Sequence, residues 1–230
     1  WAAGQSAPVD EVWPYNDRWI DPFRGEIEPN GFESPAILLQ SRAVTIAALR
    51  KAIESADVFL FTLGLTEYWS NAETGAVYQT CPGTRGGRFD ATRHQFNQAR
   101  TTNVLAELDA ARDLLHHINP VLKLILTVSP VSPSATMTEA HILTAASHSK
   151  SVLRAAAGDC AATHVDVDYF PGYELITGAL AGEPRYAVGQ RHVAPAAIDM
   201  VMDHFFAAAC DDAPKEPAAK SAQICRNLPD

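Results

Sequence analysis

A histidine stands shortly before an apolar segment near the end of the chain. His192 comes three residues ahead of Pro195, and the segment that Pro195 opens has the composition of a helix with proline at its first position. If this loop lies at the carboxyl edge of a sheet, the imidazole stands where a general base can reach a substrate. The alternative is a histidine that caps or solvates the loop. The pattern therefore predicts a general base or a loop-capping residue at His192.

A second candidate site follows a short apolar segment, at Gly64-Leu65-Thr66-Glu67. Glycine has no Cβ, so it lets a ligand or a neighbouring backbone approach closely. The Gly64 amide, the Thr66 hydroxyl and the Glu67 carboxylate are polar groups that could meet a ligand at this position. The alternative is an ordinary strand-to-loop turn in which Glu67 pairs with a nearby arginine.

Several further side chains could line such a site. Ser129 follows another apolar segment, and Trp69, Tyr78 and Tyr173 could form a stacking wall for a sugar or an acyl chain. The three aromatic residues could equally be the hydrophobic filling of a long loop. Ser149-Lys150 suggests a nucleophile and a base, but adjacent helical residues point about 100° apart. We therefore expect a structural role for that pair.

The elements that must position these residues follow from the hydrophobic pattern. Helical and extended patterns alternate along the chain, with one long segment (65–94) that shows neither. The predicted helices are 35–55, 95–117, 136–157 and a last helix from Pro195, and the predicted strands are 57–64, 122–128 and 165–170. Thr136 and Glu139 have the spacing of a capping box, which places the start of the third helix there.

This alternation predicts an α/β fold with three layers and a mostly parallel sheet, similar to flavodoxin. Ligands of such sheets bind at the carboxyl ends of the strands, where the candidate residues lie. We expect three parts: an irregular N-terminal arm (1–34), the α/β domain (35–210) and a flexible C-terminal tail (211–230).

The composition of the chain argues against several classes of protein. The chain has 230 residues, 47% of them hydrophobic and 20% charged, which are globular values that exclude wholesale disorder. Its net charge of −9 argues against a nucleic-acid partner, because phosphate binding requires a basic surface. No run of apolar residues is long enough to span a membrane. The four cysteines form neither a C-x-x-C pair nor a zinc motif, so we interpret them as reduced thiols of a cytoplasmic protein.

Longer blocks of the sequence resemble the GSCFA family, whose domains are regarded as similar to SGNH hydrolases. The blocks occur in order at 21–24 (DPFR), 62–69 (TLGLTEYW), 75–78 (GAVY), 81–83 (CPG), 126–131 (LTVSPV), 149–154 (SKSVLR) and 168–174 (DYFPGYE). The resemblance implies ester hydrolysis or O-acyl transfer, with a small-molecule or carbohydrate ester as substrate. It further implies His192 as general base, Gly64 and Thr66 as oxyanion donors, and neither a metal nor an organic cofactor.

Two features depart from the family pattern. The Gly-Ser-Cys-Phe-Ala block, which the resemblance places at the nucleophile, does not occur in this sequence, and the chain opens on Trp1. We therefore expect a fragment that lacks the first βα unit and the nucleophilic serine. An aspartate three residues before the histidine would orient it, but Gly189 stands there, which leaves Glu174 and Glu183 as candidates. The alternatives are a non-catalytic binding or scaffold module, and a hydrolase that uses Ser129.

Overall fold

The computed structural model describes residues 1–4, 10–178, 185–187 and 192–209. The strands are β1 (Trp13–Tyr15), β2 (Arg18–Ile20), β3 (Val58–Leu63), β4 (Glu67–Asn71), β5 (Val77–Tyr78), β6 (His94–Gln98), β7 (Lys123–Val128) and β8 (Val167–Tyr169). The helices are α1 (Pro35–Ser55), α2 (Thr101–Ile118), α3 (Ile142–Thr163), α4 (Gly172–Thr177) and α5 (Pro195–Ala209).

The central sheet is parallel and has the strand order β3-β7-β8. Leu63 pairs with Val128 at the carboxyl end of β3, and Leu126 pairs with Tyr169. Helices connect these strands, as parallel neighbours require a crossover. The sheet confirms the predicted α/β fold.

Helices cover both faces of this sheet. On one face, α1, α2 and α3 pack over buried strand residues such as Leu124 and Leu126, and their contacts include Leu108 and Leu153. On the other face, the Phe205 ring of α5 packs edge-on against Phe170, which follows β8. The result is a three-layer arrangement whose main core lies between the sheet and the α2–α3 layer.

The two residues at the start of the first long helix have the roles that their residue types predict. The Ser34 hydroxyl accepts a hydrogen bond from the Ile37 amide, and Pro35 occupies the first helical position. The helix runs over Pro35–Ser55, as its apolar spacing predicts. The residues at its N-terminus and its apolar spacing are enough to predict where this helix lies.

The segment 65–94, predicted to be a loop without regular structure, contains two strands of a small antiparallel sheet of order β5-β4-β6. Trp69 of β4 pairs with Tyr78 on one side and with Phe96 on the other. The prediction of a helix from residue 95 is wrong for the same reason, because His94–Gln98 form β6 and α2 begins at Thr101. Strand pairing between distant segments overrides the local pattern here.

The predicted capping box at Thr136 is also wrong, since α3 begins at Ile142. The Thr136 hydroxyl donates to a Glu67 carboxylate oxygen over 2.6 Å instead of capping a helix. The cap is His141, whose Nδ1 accepts from the Leu143 amide. The Thr136 hydroxyl, predicted to cap the helix, is therefore used in a tertiary contact with Glu67.

The segment 1–34 contains the β1–β2 hairpin, in which Trp13 pairs with Ile20. Asp21, directly after β2, is 2% exposed and binds the Arg42 guanidinium of α1 in a bidentate pair, with two nitrogen–oxygen distances of 3.0 Å. Arg24 adds a second ion pair to the same carboxylate at 2.7 Å. This buried cluster joins the hairpin to α1. The tail predicted at 211–230 lies outside the described residues.

Candidate functional site

A cavity of about 450 Å³ opens at the carboxyl ends of β3 and β7, beneath α5. Its polar lining comes from His192 and Ser129, together with Thr62 and Thr127 from the two strands. The remaining walls are mainly apolar and include Leu60, Val128, Val131, Phe170, Ile176, Ile198, Val201, Met202 and Phe205. The fold therefore brings the predicted general base and Ser129 to one cavity. A mostly apolar pocket with a few polar groups is typical of a small-molecule site.

Ser129 is held by the end of the central sheet. Its amide donates to the Leu63 carbonyl oxygen over 2.9 Å, which extends the β3–β7 pairing by one residue. Its hydroxyl accepts from the Val131 amide at 3.2 Å. This turn leaves the hydroxyl hydrogen available for a bond to a ligand in the cavity.

Thr66 is fixed by α3. The residue is 1% exposed, and its amide donates to the Ser149 hydroxyl over 3.0 Å. Within the described part of the chain, the Thr66 hydroxyl is buried and has no hydrogen-bond partner. A buried hydroxyl without a partner is costly, on the order of 1–3 kcal/mol. Gly64 and Thr66, the predicted oxyanion donors, are not among the residues that line the cavity.

Lys150 anchors the residue that begins this segment. Its ammonium donates to the Gly64 carbonyl oxygen over 2.7 Å, and the side chain is buried. Burial lowers the pKa of Lys150 to about 8. This role of Lys150 could not be predicted from the sequence, because a lysine in a helix is usually exposed and nothing in the neighbouring residues indicates that this one is buried. Ser149 and Lys150 do diverge, as helical geometry requires, and each reaches a different backbone group of the 64–66 turn.

Glu67 binds the segment that precedes α3. One carboxylate oxygen accepts from the Thr136 hydroxyl at 2.6 Å, and the other accepts from the Met137 amide at 2.9 Å. Both oxygens therefore have partners, and the partners are a hydroxyl and an amide rather than the arginine that the sequence suggested as an alternative. This carboxylate joins β4 to the segment before α3.

The three aromatic candidates lie away from the cavity. Trp69 packs against the rings of Phe89 and Phe96 in the small antiparallel sheet. Tyr78 is 4% exposed, and its hydroxyl donates to the Glu11 carboxylate at 3.0 Å. Burial and this carboxylate raise the pKa of Tyr78 to about 12. Tyr173 packs against the main core.

No carboxylate within the described residues pairs with His192, whose side chain is exposed. Glu174, one of the two candidates, forms an ion pair with Arg154 and accepts from the Tyr169 hydroxyl at 2.9 Å. Glu183 and Gly189 lie outside the described residues. Glu174 therefore binds Arg154 and Tyr169 and does not orient His192.

The fold is an α/β fold, and its candidate ligand site is a cavity at the carboxyl edge of a parallel sheet. The profile of the GSCFA family matches residues 6–205, and the chain belongs to that family. No curated protein and no solved structure matches the chain. In the ranges that the structure covers, no helix has both the length and the apolar character to cross a membrane.

Proposed function

We propose that this chain is the α/β part of an ester hydrolase or O-acyltransferase that acts on a small-molecule ester, with carbohydrate esters as the leading class. The observation that carries the proposal is the presence of His192 and Ser129 in one mostly apolar cavity at the carboxyl edge of the sheet. An apolar wall suits an acyl group, and an imidazole at that wall suits the removal of a hydroxyl proton. The net charge of −9 favours such a substrate over a nucleic acid.

In this proposal His192 accepts the proton of the attacking serine, and Ser129 binds the substrate. The Gly64 amide and the Thr66 hydroxyl stabilise the oxyanion as the tetrahedral intermediate forms. Support comes from the open space beside Gly64, where an added Cβ would meet no atom within 4 Å, and from the unpartnered Thr66 hydroxyl within the described residues. Ser149 and Lys150 hold this segment in place, which is the preorganisation that oxyanion stabilisation requires.

The nucleophile in this proposal is the serine of the Gly-Ser-Cys-Phe-Ala block, contributed by sequence outside these 230 residues. The free edge of β3 supports it, because β7 is the sole described strand that pairs with β3. Val58, Leu60 and Phe61 of this edge strand are 46%, 48% and 40% exposed, and an apolar sheet edge is a surface that proteins usually cover. Phe59 and Phe61 also line an apolar cavity of about 680 Å³. A further strand and helix would cover these surfaces.

A phosphonate probe that labels active serines tests the proposal on protein that contains the block. We expect one labelled serine, identified by peptide mass spectrometry as the serine of the block. Labelling should fall at least about 100-fold in His192→Ala and stay unchanged in His204→Ala, a matched histidine on α5 whose ring bonds its own helix. Labelling of Ser129 instead would assign the nucleophile to this chain.

A second candidate function is a binding or scaffold module that has lost the chemistry. It is favoured because no carboxylate among the described residues pairs with His192. Glu174, the described candidate, binds Arg154 and Tyr169 instead. The same probe separates the two candidates. Absence of labelling in a folded protein that contains the block would support the module.

A further inference from the structure

Three side chains that are common metal ligands converge where α2 packs against α3. The Nε2 atom of His164 lies 2.9 Å from Oδ1 of Asp109, and the Cys160 sulfur lies 3.9 Å from the same oxygen. All three ligand atoms lie within 4.8 Å of one another. Thiolate, imidazole and carboxylate together are the donor set of zinc-type ions, while Mg²⁺ and Ca²⁺ prefer oxygen alone.

The spacing of these atoms suits a tetrahedral ion. Zinc bonds of roughly 2.0–2.3 Å place neighbouring ligand atoms roughly 3.3–3.7 Å apart. The observed separations of 2.9 and 3.9 Å lie within about half an ångström of that range. The Cys160 sulfur and the His164 nitrogen lie within 4.8 Å of each other, so binding has to shorten this separation by about 1 Å at most.

Two long helices supply the ligands. Cys160 and His164 are four residues apart, at the last turn and C-terminal cap of α3, so their side chains share a face of that helix. Asp109 projects from the middle of α2. Because α3 ends just before β8 begins, the cluster lies at the amino edge of the central sheet. The candidate ester site lies at the opposite, carboxyl edge, so the cluster plays no part in the proposed acyl chemistry.

The charges around the cluster also favour a dication. A Cys160 thiolate and the Asp109 carboxylate would neutralise an ion of charge +2, with His164 neutral. The Arg112 guanidinium beside them is already bound to Asp166, with nitrogen–oxygen distances of 2.7 and 2.6 Å. The Asp109 side chain is 46% exposed, so an ion has a path from solvent and a free coordination position for water.

We propose that Asp109, Cys160 and His164 bind one zinc-type divalent ion between α2 and α3. Binding releases the Cys160 thiol proton to solvent. The His164 ring turns its Nε2 lone pair to the ion and carries its proton on Nδ1, while the carboxylate and one water complete four coordination positions. The bound ion stabilises the α2–α3 packing, because the folded chain holds the three ligands together and the unfolded chain does not.

Co²⁺ titration of the whole reduced chain tests the proposal, because a cobalt–thiolate bond gives a charge-transfer band that carboxylate and histidine ligands do not. We expect the band to saturate at one ion per chain, to disappear when Zn²⁺ is added, and to be unaffected by Mg²⁺. A variant with Cys81→Ser, Cys210→Ser and Cys225→Ser should keep the band, and Cys160→Ser should abolish it. Asp109→Asn and His164→Ala should each weaken binding by more than roughly 100-fold. Loss of a residue that only hydrogen-bonds a metal ligand costs at most about that much, so a larger loss indicates direct coordination.

A second measurement keeps the test independent of the spectrum. Zn²⁺ should release one proton per ion in weak buffer and raise the melting temperature of the wild type, with neither effect in Cys160→Ser. Circular dichroism should show that Cys160→Ser is folded, since serine is the nearest isostere. A missing charge-transfer band, or a band that persists in folded Cys160→Ser, would overturn the proposal. Neither result depends on whether the protein hydrolyses esters.

Discussion

The Lys150 ammonium of α3 donates a hydrogen bond to the carbonyl oxygen of Gly64 over 2.7 Å, directly after the last residue of β3. The neighbouring Ser149 hydroxyl accepts from the Thr66 amide at 3.0 Å. Two consecutive helical residues therefore hold two backbone groups of one turn. Lys150 is 3% exposed, and no carboxylate in the described ranges pairs with it. A buried cation with so few partners costs folding free energy, so we expect it to serve the site.

The stability of the protein should depend on the titration of Lys150. Burial lowers its pKa from 10.5 to about 8, so between these values the unfolded chain binds more protons than the folded chain. The free energy of unfolding therefore rises with pH across this window, and below it the full penalty is present. The shift corresponds to about 3 kcal/mol. Buried thiols such as Cys160 have raised pKa values and act in the opposite direction in every variant, so the test is the difference between proteins. Between about pH 7 and pH 10, the change in the free energy of unfolding measured in urea should be more positive in the wild type and in Lys51→Met, an exposed control, than in Lys150→Met. Equal pH slopes in all three proteins would contradict the burial of the ammonium.

His192 should be essential if the cavity is an esterase site. In protein that contains the Gly-Ser-Cys-Phe-Ala block, His192→Ala should lower kcat/KM for an aryl ester by about 10²–10⁴-fold, the usual contribution of a general base. His204→Ala should change it by less than about threefold, because that ring bonds the Met200 carbonyl oxygen of its own helix. A loss below tenfold in His192→Ala would remove the histidine from the mechanism.

Glu67 should act on stability more than on rate. Its two oxygens accept from the Thr136 hydroxyl and the Met137 amide, so Glu67→Ala removes two hydrogen bonds to a charged group. The Thr136 hydroxyl also contacts the Thr138 hydroxyl and the hydrogen bond from the Met137 amide is exposed, so the cost should be only about 1–2 kcal/mol. Glu67→Gln keeps one acceptor and should retain kcat within about threefold, since its bonds hold a loop rather than a substrate. Thermal unfolding and ester turnover of both variants, made in protein that contains the Gly-Ser-Cys-Phe-Ala block and compared with the exposed control Glu139→Gln, separate the two roles. If Glu67→Gln is folded yet inactive, the carboxylate takes part in the chemistry.

The Asp21–Arg42 pair should be strongly coupled. Both side chains are nearly fully buried, so Asp21→Asn removes the carboxylate that neutralises the buried guanidinium and should cost about 3–5 kcal/mol. The Asp21→Asn/Arg42→Met double variant should cost clearly less than the two single variants summed, because it removes both charges. The exposed Arg50–Glu54 pair is the control, and Glu54→Gln should cost less than about 1 kcal/mol. Additive losses at Asp21 and Arg42 in a chemical-denaturation cycle would show that the pair is not coupled.

Elements with their own local signals were predictable from the sequence. Ser34 and Pro35 begin α1, and Pro195 begins α5, where predicted. Thr136 shows the limit of such signals, because its hydroxyl binds the Glu67 carboxylate of β4 and no helix begins there. Strands β4 and β6 show the same limit, since the pairing of Trp69 with Phe96 is a contact between distant segments. The short α4, which has no side-chain cap, was not predicted.

The sequence by itself determined the family, the α/β alternation and the placement of candidate residues after strands, because periodicity and motifs are local properties of the chain. Tertiary structure alone decided which of those residues meet. It brought His192 and Ser129 to one cavity, and it placed Tyr78 in a buried cluster with Glu11. It also buried Lys150 against Gly64. These outcomes depend on how helices and strands pack across the sheet, and contacts between residues far apart in the chain leave no mark in the local pattern.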